Sequence, residues 1–133
     1  MKDPDHWLYR LSPEEWLRAA ANELQRAHDS LGHRQTRGGV AGARRAAGMA
    51  WNAVLAMSDT PDPEYGRSYM EHLQALAKDV SLPEPVRAAA EALVAAPLTQ
   101  ELVPLGKPDL HLVDAARTLW AHARERVSPP GSA

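Results

Sequence analysis

The chain contains neither isoleucine nor phenylalanine, while alanine occurs 24 times and leucine 16 times. Sheets draw on β-branched and aromatic side chains to cover a pleated surface, whereas alanine and leucine are strong helix formers. With 8 valines to supply every strand, the chain is expected to be all-α. Its 133 residues make one domain, and a chain of that size buries roughly two thirds of its unfolded surface in a single core. The domain is expected over residues 1–127, with a disordered tail over 128–133 where Ser, Pro and Gly accumulate.

Helix boundaries follow from local punctuation. Ser12-Pro13-Glu14-Glu15 is a capping box with proline at the first helical position, and Leu17, Ala20, Leu24, Ala27 and Leu31 keep a 3.6-residue period, predicting a helix over 13–31. The same period predicts helices over 39–57 and 63–79, separated by the breaker run Ser58 to Pro63. Ser81-Leu82-Pro83-Glu84 reads as a second capping box opening 83–96, and Asp109 as the cap of a last helix over 109–127. Thr99 to Pro108 reads as a long loop. The expected architecture is an antiparallel bundle of four to five helices. Small residues at Gly39, Gly42, Ala43, Ala46, Ala47 and Ala50 allow another helix to approach closely, either within the chain or from a second subunit.

Charge is nearly balanced, with 15 basic and 17 acidic residues, so there is no overall pull towards nucleic acid or an anionic membrane. The absence of cysteine excludes disulfides, thiol catalysis and thiolate metal sites. The opening residues Met1 to His6 are polar, and no apolar run approaches the ~20 residues needed to span a bilayer. A cytoplasmic chain without membrane contact is expected. Between Ser30 and Ser58 there is no acidic residue, while Arg34, Arg37, Arg44 and Arg45 all fall there. These arginines form either an anion or RNA site near the start of the second helix or a solvated face answering carboxylates elsewhere. Six histidines show no His-x-x-x-His pair, no Glu-x-x-His motif stands on a core face, and no nucleophile elbow occurs. Neither a metal nor another cofactor is expected. Trp16, Trp51 and Trp120 read as core, Trp7 to Leu11 as an apolar arm that docks on the bundle or a second subunit, and Tyr65 and Tyr69 as core stripe or groove lining.

The order of elements resembles the HEPN superfamily. It runs from a capped helix with Trp16-Leu17-Arg18-Ala19-Ala20, through the Ala-rich helix from Ala43 to Leu55 and the Tyr69-Met70-Glu71-His72-Leu73 segment, to a final helix with Arg117-Thr118-Leu119-Trp120-Ala121-His122. The resemblance covers about residues 13–127. It implies a bundle that commonly forms homodimers, in which some members are metal-independent endoribonucleases and others are inactive RNA- or nucleotide-related modules. The family motif is an arginine followed, four to six residues later, by a histidine that meets its counterpart across a dimer cleft. Carried over, His122 would act on the ribose 2′-hydroxyl and the leaving group, and Arg117 would stabilise the phosphorane charge. Two functions are therefore expected: an RNA- or nucleotide-related module with weak or absent ribonuclease activity, or a non-enzymatic helical dimer or adaptor. Its partners would be a second copy, RNA, a nucleotidyltransferase-like protein or another protein.

Overall fold

A computed structural model describes residues 5–33, 35–96 and 110–128. Its principal elements are five α-helices: α1 (Pro13–Gly32), α2 (Thr36–Leu55), α3 (Tyr69–Lys78), α4 (Glu84–Ala95) and α5 (His111–Val127). Short 3-10 turns at Trp7–Arg10 and Pro63–Tyr65 complete the described elements, none of which is a strand. No described helix is long and apolar enough to cross a membrane. Arg34, the Thr99–Pro108 segment, Asp109 and residues 129–133 of the expected tail lie outside the described residues.

The start of α1 is set by its first turn. Ser12 Oγ accepts the Glu15 amide at 3.1 Å, and the Glu15 carboxylate accepts the Ser12 amide at 3.0 Å. Two otherwise orphaned donors are thus satisfied, and the same bonds with Ser12 hold the Glu15 carboxyl below its ordinary range. The small face of α2 is used within the chain. A Cβ at Gly39 would overlap the Leu31 side chain, one at Gly42 would lie 3.3 Å from Ala27 Cβ, and one at Gly48 would overlap Tyr69. Since rising positions in α2 meet falling positions in α1, those two helices are antiparallel. Gly48 meets Tyr69 and Asn52 meets His72, so α3 advances in the same sense as α2. This is one departure from strict up-and-down order, and it arises because the 56–68 connection returns along α2 before α3 begins.

Three boundaries differ from those the sequence predicts. The helix expected over 63–79 is split: Gly66 takes a φ of 68°, and α3 starts afresh behind Ser68, whose side chain accepts the Glu71 amide. Ser81 caps no helix; its backbone and hydroxyl both donate to Asp79, and Pro83 stands at the α4 N-cap. The second helix runs over 36–55, earlier at both ends than the spacing predicts, with no side-chain cap at Gln35.

One core joins all five helices through Leu17, Leu24, Val40, Trp51, Leu73, Leu76, Leu93 and Leu119, each buried. Burying a leucine contributes about 1.5–3 kcal/mol. The N-terminal arm docks on its own bundle: Leu8 is buried, the Trp16 indole donates to the Leu8 carbonyl at 2.8 Å, and the Tyr9 hydroxyl donates to the Ser58 carbonyl at 2.8 Å. Trp16 and Trp51 are buried as expected, while Trp120 is half-buried and donates to the Leu17 carbonyl at 3.0 Å.

Candidate functional site

Arg117 and His122 lie on α5 but serve different surroundings. Arg117 is exposed, its guanidinium 3.4 Å from the Asp114 carboxylate one turn earlier. His122 is half-buried and stacked on the Trp51 indole, ring centroids 6.1 Å apart and planes 11° from parallel. Its Nε2 is enclosed without a hydrogen-bond partner among the described residues. Burial, reinforced by the Arg126 charge, pulls its pKa below the ordinary histidine value. Five residues turn a helix through about 140°, which accounts for the separation of the pair within one chain.

The arginines of α2 diverge as well. Arg44 donates to the carbonyls of Leu93 at 2.7 Å, Val94 at 3.2 Å and Ala96 at 2.6 Å. These are carbonyls that the end of α4 leaves unpaired, and a cation beside them also answers the negative end of the helix dipole. Arg45 faces α1, its guanidinium 3.0 Å from Glu23. Arg37 is exposed in the first turn of α2. Arg44 and Arg45 are therefore engaged by the bundle itself, Arg44 by α4 and Arg45 by α1.

Polar groups do converge at the opposite end of α2. There a cleft of about 390 Å³ is bounded by the end of α2, the Ser58–Asp62 connection, the Asp79–Leu82 turn and the last turn of α5. Leu82, just before α4, and Arg126, at the end of α5, line the same cleft, so these two packed helices run antiparallel. Asp79 organises one wall. Its Oδ1 accepts the Ser81 amide at 3.0 Å and the Ser81 hydroxyl at 2.6 Å, and its Oδ2 accepts the Tyr65 hydroxyl in a short bond. The Ser81 bonds, then the Tyr65 bond, hold the Asp79 carboxyl below its ordinary range. Burial, and then Asp79, drive the Tyr65 phenol well above its ordinary value, so it remains a donor. The Arg126 guanidinium lies 5.9 Å from the Trp51 ring centroid. A shallower depression of about 320 Å³ adjoins the same Tyr65–Asp79 pair. The two exposed large apolar side chains among the described residues, Met57 (47 %) and Val80 (85 %), each line one of these hollows.

Behind the cleft, His72 is fully buried between the Tyr65 carbonyl, against Nδ1, and the Asn52 carboxamide, 2.8 Å from Nε2. Burial lowers its pKa, with the Tyr65 bond opposing. A neutral imidazole has one N–H. With that proton on Nδ1 for the Tyr65 carbonyl, Nε2 is an acceptor facing Asn52 Oδ1, and turning the Asn52 carboxamide over would let its unpartnered Nδ2 donate to the ring.

The spacing of the sequence singles out neither Asp79 nor Arg126, and its helical period assigns Trp51 to the core alone. One signal was present: Asp79-Val80-Ser81 has the form of an Asx turn, in which an aspartate accepts the amide two residues on. Among the described residues no group of three or more His, Asp or Glu could hold a metal ion. No family profile, curated protein or solved structure matches the chain.

Proposed function

We propose that the chain is a non-enzymatic helical-bundle adaptor of HEPN-like build that works by binding another protein. The observation that carries this reading is the stacking of His122 on Trp51 with Nε2 enclosed. A general acid or base must bring a ring nitrogen within hydrogen-bond reach of the ribose hydroxyl, and one of the two on His122, Nε2, is turned into the protein. Arg117, the proposed electrostatic partner, stands outside with Asp114. The engagement of Arg44 by carbonyls and of Arg45 by Glu23 occupies donors that an RNA strand would otherwise meet. The helix order supports a HEPN-like build, and a second copy of the chain or a nucleotidyltransferase-like protein is the partner class that this build implies.

Incubation of end-labelled single-stranded RNA with the protein in a metal chelator tests the reading. No cleavage is expected, and any RNA binding should be weak and fall steeply with salt. Cleavage that disappears in both His122→Ala and Arg117→Ala would overturn it. Mass in solution then separates the partners: a species of 14.5 kDa at every concentration excludes a second copy and leaves a different protein.

A further inference from the structure

The cleft beside Trp51 holds hydrogen-bonding capacity that the fold does not use. Arg126 reaches over the indole and its charge acts on the Asp79 carboxyl, yet its guanidinium makes no hydrogen bond among the described residues. Of the two carboxylates on the walls, Asp79 has both oxygens engaged by Ser81 and Tyr65. Asp62 uses only Oδ1, for the Glu64 amide at 3.0 Å. One cationic fork and one carboxylate oxygen are thus available in a single cleft whose remaining lining includes Trp51, Leu55 and Leu82. Its volume of about 390 Å³ falls in the range of small-molecule sites, about 300–1,000 Å³.

Charge selects among ligands of that size. A simple carboxylate drawn to Arg126 would meet two carboxylates, and a simple amine drawn to Asp62 would meet the guanidinium. A molecule carrying both charges answers both groups and leaves its body for the apolar lining. We propose that this cleft binds a small zwitterion of the amino-acid class, with its carboxylate on Arg126, its ammonium on Asp62 and an apolar side chain against Trp51 and Leu82. This inference does not depend on the adaptor reading.

The probes are L-leucine and L-phenylalanine, titrated into the whole protein by calorimetry and followed in parallel by thermal shift. Two analogues separate the charges: leucinamide lacks the carboxylate, and 4-methylpentanoate lacks the ammonium. Saturable binding of at least one amino acid is expected, weakened about tenfold or more in either analogue and in Arg126→Gln, because a charge-assisted bidentate contact is lost. Asp62→Asn preserves a capping side chain and should weaken binding several-fold, with circular dichroism unchanged in both variants. Absence of saturable binding up to about 10 mM, equal affinity for 4-methylpentanoate, or undiminished affinity in Arg126→Gln would each overturn the proposal.

Discussion

The imidazole of His122 lies flat against the indole of Trp51, ring planes 11° from parallel and Nε2 enclosed. This places a titratable ring in the wall of the core, where protonation would desolvate a charge beside the Arg126 guanidinium. His72, buried deeper between Tyr65 and Asn52, is depressed in the same direction.

Both histidines therefore bind protons less readily folded than unfolded. The unfolded chain takes them up near the ordinary histidine value of 6.5, so stability is complete above that pH and declines as pH falls towards the folded values. The slope for the fully buried His72 is at most about 1.4 kcal/mol per pH unit. Urea melts at pH 7.5, 6 and 5 should show this decline. His122→Phe, which keeps the stack and removes the titration, should flatten it, and an unchanged slope would show that His122 titrates normally.

Arg44 closes the end of α4 through three carbonyls. Arg44→Met should cost about 2–3 kcal/mol, since charge-assisted bonds to part-buried acceptors are lost and the carbonyls are left unpaired. Arg45→Met, which removes an exposed ion pair with Glu23, should move stability by less than about 1 kcal/mol. Chemical denaturation of the two variants side by side checks the contrast.

Gly48 and Gly38 both lie in α2 and predict opposite signs. A Cβ at Gly48 meets the first carbons of Tyr69, which cannot swing away, whereas nothing lies within 4 Å of one at Gly38. Gly48→Ala should destabilise by about 1–3 kcal/mol through overpacking. Gly38→Ala should stabilise by about 0.5–1 kcal/mol through reduced freedom of the unfolded chain. Thermal melts ordered the other way would contradict the packing of α3 on α2.

Tyr65→Phe removes one of the donors that hold Asp79 below its ordinary range. The Asp79 carboxyl should titrate closer to an ordinary aspartate, followed by its side-chain carbon resonance against pH. Stability should fall by about 1 kcal/mol, the typical net contribution of one hydrogen bond. A titration identical to the parent protein would assign the depression to Ser81 and the Arg126 charge.

Much of the fold is legible in the residues. Ser12 and Glu15 start α1 because a capping box is closed by residues three apart, and the leucine and alanine period of α1, α2 and α5 marks faces that are buried. Ser68 and Glu71 carry the same signal, but the apolar stripe running from Tyr65 to Leu76 hides the break that the positive φ of Gly66 enforces. Ser81 looks like a cap in sequence and is instead drawn to Asp79, because an Asx turn competes locally with the helix start.

The sequence by itself determined that helices form and roughly where, since caps, prolines and periodicity act over three or four residues. Only the tertiary structure decided that Arg44 serves α4, that Arg45 serves α1, that His122 faces Trp51 while Arg117 does not, and that Asp62, Tyr65, Asp79 and Arg126 share one cleft. The reason is physical. Which groups meet across 30 or 70 residues of chain is fixed by how close-packed helix faces interlock, and no local spacing records that distance.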